Sequence, residues 1–138
     1  MAEIFKKDAL SFLKKNRYSL FGTVDKDKPV MRVMWIAYAD DDFTLWYASH
    51  KCTQKIKHIE KNPNVCISVN TETEGVRIFG KAKSISDKKI KSEKWQENWS
   101  TYLAGKDDPN YALIKVKPSK VEYSHYEKFG LECKDVLK

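Results

Sequence analysis

Arginine is scarce in this chain. Of 26 basic residues only Arg17, Arg32 and Arg77 are arginine, although the formal net charge is +7. Nucleic-acid readers favour arginine for bidentate contacts to phosphate and guanine, so a lysine-dominated surface reads first as a solubility device and only second as a nucleic-acid interface. Cysteine is scarce too. Cys52, Cys66 and Cys133 are odd in number and widely spaced, with no Cys-x-x-Cys pair, which argues against a disulfide framework and a structural zinc site. The three histidines, His50, His58 and His125, lack metal-ligand spacing. His50 and Cys52 are two apart, but nothing in the sequence orients the imidazole as a base, so no thiol nucleophile is assigned. No apolar run approaches the roughly 18 residues of a membrane span, and the opening segment MAEIFKKDAL has no signal-peptide pattern. The expectation is therefore a cytoplasmic protein with no membrane partner. With no internal repeat and no domain linker, the 138 residues are expected to form one domain, 1–138.

What is present is a globular composition, 41% apolar and 33% charged, and one stretch that organises the rest, Leu45 to Pro63. Leu45, Trp46 and Tyr47 form an apolar, aromatic run of strand type. Ser49, His50, Lys51, Cys52 and Thr53 then break it with small and polar residues. From Thr53 onward the apolar positions Ile56 and Ile59 fall at helical spacing, and Asn62-Pro63 ends the helix, because the residue before proline is pushed out of the helical region. A helix N-terminus exposes unpaired N–H groups and a partial positive charge, so an anion is favoured beside it. Ser49 and Thr53 supply hydroxyls there, and Lys51 and Lys55 supply full charges.

Residues 2 to 16 read as an amphipathic helix with Ile4, Phe5, Ala9, Phe12 and Leu13 on one face and Asn16 as its stop. Arg17 to Val24 is a strand in which Gly22 marks a bend or a close backbone approach. Val30 to Tyr38 is apolar on both faces and is expected to be a central strand covered on both sides. Its exception is Arg32, which must find a carboxylate partner, reach the rim or meet an anionic ligand, since an unpaired buried charge is costly. Asp40, Asp41 and Asp42 make a solvated hairpin turn, for the spacing and closing glutamate of a calcium loop are absent. Val65 to Asn70 and Val76 to Ile85 are strands, the second with a bulge or bend at Gly80. Ser86-Asp87 is an N-cap signal for a second long helix carrying Trp95, Trp99, Tyr102 and Leu103 as an aromatic stripe, read as packing surface with a cofactor wall as the alternative. The segment ALIKVKPSKVEYSHY gives one or two strands interrupted at Pro118, followed by a polar tail. Short antiparallel strands with helices between them point to a small barrel with flanking helices rather than a doubly wound sheet.

The residues KKNRYSLFGTVD, MRVMWIAY, TLWYASHKCTQKIKHIEKNPNVCISV, VRIFGKA, WQENW and DDPNYALIKVKP, in this order and spacing, resemble the pyridoxamine 5'-phosphate oxidase-like FMN-binding split-barrel family, and in particular its general stress protein 26-like branch. The resemblance runs from about Leu10 to Tyr123. It implies a mainly β fold with flanking helices, a six-stranded antiparallel split β-barrel that forms a homodimer with FMN at the interface. Carried over by position, Arg32, Ser49, Thr53 and Lys55, with Lys51 and Gln54, would hold the FMN phosphate. Val33, Met34 and Trp35 would follow the ring edge, and Tyr47 and Ala48 would lie beside the ribityl chain or ring. True pyridoxamine-phosphate oxidases have an arginine where this chain has Gln54 and a lysine where it has Ala37, and they carry a C-terminal tryptophan and arginine–histidine substrate motif that is missing here. Vitamin B6 oxidation is therefore not expected.

Three functional readings follow. The first is an FMN-dependent oxidoreductase using a small-molecule electron donor or acceptor, with no catalytic side chain singled out, since the flavin carries the chemistry. The second is a flavin-binding or flavin-sensing stress protein without turnover. The third and weakest is a basic nucleic-acid-binding barrel; haem or a deazaflavin in place of FMN is a variant of the first.

Overall fold

The computed structural model describes residues 2–137; Met1 and Lys138 lie outside the described residues. Helix α1 (Ala2–Lys15) leads into β1 (Tyr18–Asp25), β2 (Lys28–Trp35), the short β3 (Tyr38–Ala39) and β4 (Leu45–His50). Then follow α2 (Gln54–Lys61), β5 (Asn64–Asn70), β6 (Glu74–Ile85), α3 (Lys88–Lys94), a 3-10 turn at Glu97–Thr101, β7 (Tyr111–His125), α4 (Tyr126–Phe129) and β8 (Cys133–Asp135). The local stop signals act as their chemistry requires. Asn16 ends α1 by bonding the Phe12 carbonyl with both its backbone and side-chain nitrogens, and Asn62 before Pro63 leaves the helical region with φ −141° and ψ 105°.

The strands form one antiparallel sheet in the order β2-β1-β5-β6-β7-β4-β3, with β8 added to β7. Six long strands build the barrel wall. The sheet does not close by a ladder, because β2 and β3 stand at its two ends. Instead the two residues between them bridge the split: Ile36 N–H donates to the Arg17 carbonyl at 2.7 Å and Ala37 N–H to the Trp46 carbonyl at 2.8 Å. Arg17 ties the same joint from the side, donating through Nη1 to the Ala37 carbonyl at 2.7 Å. This is a split barrel with flanking helices, as the sequence pattern and the resemblance had implied.

Inside the barrel Phe21, Leu45, Tyr47, Ile67, Ile78, Ile114, Val116 and Val121 are fully buried. Helix α1 adds Ala9, Phe12 and Leu13 to this core, and α2 adds Ile56 and Ile59. Each such large apolar side chain contributes about 1.5–3 kcal/mol on burial. The long β7 runs unbroken through Pro118, which faces Gly80 where the β6–β7 register shifts. Lacking an N–H, Pro118 is tolerated beside that bulge, and Gly80 is required because a Cβ there would collide with the Lys117 carbonyl.

Besides the interruption expected at Pro118, three expectations are corrected. β2 is an edge strand rather than a central one, and its outward residues Met31, Val33 and Trp35 form an exposed apolar face with Tyr18 and Leu20 of β1. The second long helix is only the seven residues of α3, capped by Asp87 through the Lys89 and Ile90 N–H groups. It stops because Trp95 turns extended, at ψ 137°, so that its ring can pack edge-on against Trp99 and Tyr111. The tail is not simply polar chain: β8 pairs with Glu122–Ser124 and Val136 is buried in the core.

Candidate functional site

β4 is buried along most of its length and emerges at His50, where the chain turns sharply into α2. The turn is held by its own polar groups. Thr53 N–H and Thr53 Oγ1 both donate to the His50 carbonyl, at 3.1 and 2.9 Å, and Ser49 Oγ lies 3.2 Å from Thr53 Oγ1. The Thr53 side chain makes no capping bond to α2. Beside the turn lies an open groove of about 650 Å³, within the range of small-molecule sites.

One wall of the groove comes from β1 and β2: Tyr18, Val33, Met34 and Trp35. Tyr18 and Trp35 are cross-strand partners whose rings meet edge to face at 4.7 Å. The floor and one end are Ala48, Ser49 and His50 of β4, with Thr53 and Lys55 from the turn and α2. The far wall is the 3-10 turn and its exit, through Asn98, Trp99, Thr101 and Tyr102.

Two cations stand at the turn. Burial lowers the pKa of the Arg32 guanidinium, and burial followed by the nearby Arg32 charge lowers that of the Lys55 ammonium. Among the described residues no carboxylate lies within 4.0 Å of either charge. The carboxylate partner considered for Arg32 is thus absent; its Nη1 donates to the Phe21 carbonyl at 3.1 Å and to Thr23 Oγ1 at 2.8 Å. Half-buried like charges with no counter-charge are an unfavourable pairing that a bound anion would relieve.

Of the residues named from sequence, Val33, Met34, Trp35, Ala48, Ser49, Thr53 and Lys55 line the groove. Arg32 does not line the groove itself, but its charge reaches Lys55, which does. The other three lie elsewhere. The Tyr47 ring is fully buried in the barrel, its hydroxyl 2.9 Å from Ser19 Oγ. Gln54 is exposed on α2. Lys51 lines a separate depression of about 380 Å³ with Lys88, Lys91 and Lys106. The sequence reading missed Tyr18, Asn98 and Thr101, and had assigned Tyr102 to a helix stripe. A tyrosine at the outset of β1 and two polar residues close to Trp99 carry no spacing signal of their own; the sheet path brings them together.

Fold and site together define a split-barrel protein with a basic turn at one end of an aromatic-walled groove. The chain belongs to the pyridoxamine 5'-phosphate oxidase family, whose sequence profile matches residues 5–125. Within it the chain is similar to general stress protein 26 of Bacillus subtilis strain 168, at 31% identity over 121 residues that cover 84% of this chain and 85% of that protein. The crystal structure of general stress protein 26 from Bacillus anthracis str. Sterne superposes with a TM-score of 0.77 at 29% identity, covering 86% of this chain and 92% of the other. The general stress FMN/FAD binding protein from Xanthomonas citri shares the fold at a TM-score of 0.76 and 19% identity, over 91% and 90% of the two chains.

Proposed function

We propose that this protein binds FMN in the groove and works as a flavin-dependent oxidoreductase of the general stress type. The observation that carries the reading is the pair Arg32 of β2 and Lys55 of α2, two half-buried cations with no carboxylate within ion-pairing distance among the described residues. The residues present fit the group. Arg32 and Lys55 would neutralise a phosphate, and Ser49 and Thr53 would offer hydroxyl donors to it. Val33, Met34 and Trp35 would follow the ring edge, and Trp99 and Tyr102 would face it across the groove. Bound flavin supplies the hydride and electron chemistry; the chain binds it, orients it and limits access of water.

We propose further that the working form is a homodimer. The exposed apolar face of β1 and β2 is the support, because Tyr18, Val33 and Trp35 belong both to that face and to the groove. A second copy laid on this face would cover apolar surface and close one side of the site. No helix among the described residues is long and apolar enough to cross a membrane, and the cytoplasmic location stays part of the proposal.

The test is a visible spectrum of the purified protein followed by FMN titration with flavin fluorescence as the readout. Bands near about 370 and 450 nm, the usual range of oxidised flavin, or saturable quenching at about one FMN per chain, support the reading. A flat spectrum without quenching overturns it. Reduction of bound FMN by NAD(P)H, followed by electron transfer to an acceptor, separates an oxidoreductase from a flavin-holding protein without turnover.

A further inference from the structure

His58 lies on α2 and is only 7% exposed, a burial that an imidazole tolerates when its ring nitrogens are hydrogen-bonded. Its Nδ1 is 2.8 Å from Thr23 Oγ1 and 3.5 Å from Arg32 Nη2. Thr23 Oγ1 is in turn 2.8 Å from Arg32 Nη1, and the second hydrogen of Nη1 is taken by the Phe21 carbonyl at 3.1 Å. These distances fix every donor. A guanidinium only donates, so Thr23 Oγ1 accepts from Arg32 and its single hydrogen is left for His58 Nδ1. A hydroxyl can also accept twice, so it is Arg32 Nη2, which can only donate to Nδ1, that makes this nitrogen the acceptor and puts the ring proton on Nε2. Nε2 then faces the Asp25 carboxylate at 3.9 Å, the one carboxylate within ion-pairing range of His58 among the described residues.

The relay runs one way, from Arg32 through Thr23 to His58, and joins three elements that sequence separates: β2, β1 and α2. It has a consequence for Arg32. Both Nη1 hydrogens are consumed by β1, while Nε and the outer Nη2 hydrogen make no hydrogen bond to the protein among the described residues. An arginine presents two parallel N–H groups to an anion only when its plane is held. Here the plane is held from behind, and the acceptor that completes the hold is His58.

We propose that His58 is a positioning residue for the anion site: acting through Thr23, it fixes the Arg32 guanidinium with its free edge toward a phosphomonoester, and so makes the site prefer phosphorylated over unphosphorylated flavin. The inference rests on the reading of Arg32 and Lys55 as a phosphate cradle. The experiment compares FMN with riboflavin, which lacks the phosphate, by fluorescence titration of the full chain and of the variants Arg32→Ala, Thr23→Val, His58→Phe and His58→Asn.

Thr23→Val and His58→Phe are expected to weaken FMN about 5- to 10-fold, a loss on the scale of one hydrogen bond, with riboflavin binding unchanged. His58→Asn, whose side-chain oxygen can accept in place of Nδ1, is expected to recover FMN binding to within about threefold of the parent, inside the spread of a typical hydrogen-bond contribution. Thr23→Val keeps the side-chain shape and reports even if His58→Phe does not fold. If Arg32→Ala abolishes the preference for FMN while Thr23→Val leaves it intact, the role of His58 is wrong and the cradle stands. If Arg32→Ala leaves the preference intact, the cradle falls and the inference with it. Equal losses of both flavins in Thr23→Val and His58→Phe would reduce His58 to a packing residue and overturn the proposal.

Discussion

Replacing Lys55 by methionine should move stability and ligand binding in opposite directions. In the folded chain the Lys55 ammonium is disfavoured by burial and by the Arg32 charge, so its pKa lies below the ordinary value of 10.5. A lysine whose folded pKa is depressed costs stability at every pH below that value, and the cost disappears as pH rises from there toward 10.5, where the unfolded chain also loses the proton. Lys55→Met removes the cost and keeps most of the apolar stem, so the ligand-free variant should melt higher than the parent at pH 7, and the gap should narrow at alkaline pH.

FMN should reverse the order. A hydrogen bond to a charged group is worth about 1.5–3 kcal/mol, so losing one at a value of about 2 kcal/mol weakens binding about 30-fold. At a concentration 100 times the parent's Kd, FMN stabilises the parent by about 2.7 kcal/mol and the variant, then at about three times its own Kd, by about 0.9 kcal/mol. With 138 residues and an unfolding entropy of about 2.1 cal/mol/K per residue, 1 kcal/mol corresponds to roughly 3.5 °C. The FMN-induced shift should therefore fall from about 9 °C to about 3 °C in a thermal melt. A variant that melts lower without ligand and keeps the full shift would refute the charge reasoning.

Arg32→Ala should weaken FMN by roughly 1–3 kcal/mol, read in the same quenching titration; binding equal to the parent would remove Arg32 from the site. Trp35→Glu places a charge on the exposed apolar face of β2, so sedimentation at tens of micromolar should show a homodimer for the parent and monomer for the variant. Unchanged mass would move the interface elsewhere. Asp87→Ala removes the cap of α3 and should cost about 1 kcal/mol in denaturant unfolding, with no change in the unfolding slope. At acid pH, Asp42, whose pKa the Thr44 N–H holds below 3.8, contributes stability that is present above the unfolded value and lost as pH falls through the folded one. Asp42→Asn should accordingly flatten the parent's acid unfolding curve below about pH 4, the ordinary carboxylate range; an unchanged curve would discount the Thr44 contact.

Much of the fold was legible because its signals are local. The Asn62-Pro63 stop, the Asp87 cap, the Gly80 bulge and the apolar face of α1 each depend on a few neighbouring residues, and each stands where the sequence placed it. The turn residues Ser49, Thr53 and Lys55 were found for the same reason, since strand, turn and helix follow one another directly from Leu45 to Lys61. The long helix after Asp87 was misread because Trp95, Trp99, Tyr102 and Leu103 also fit a helical stripe. What breaks that helix is distant: Tyr111 of β7 donates its hydroxyl to the Lys91 carbonyl at 3.0 Å and takes the Trp95 ring against its own. β2 was misread for a related reason. Apolar residues on both faces of a strand imply cover on both faces, but the cover can be a second chain rather than this one.

By itself, then, the sequence determined the strands, turns and caps of a mainly β domain and the hydroxyl- and lysine-rich turn on which an anion site would be built, because short-range sterics, periodicity and capping decide those. Tertiary structure alone decided which strands lie at the edges of the sheet and which aromatic groups wall the groove. It also set Arg32 beside Lys55 with no carboxylate among the described residues to neutralise them, and joined Arg32 to Thr23 and His58 by hydrogen bonds. Those relations join β1, β2 and α2 across the sheet, and no periodicity in a one-dimensional pattern encodes the register that brings them within hydrogen-bond distance.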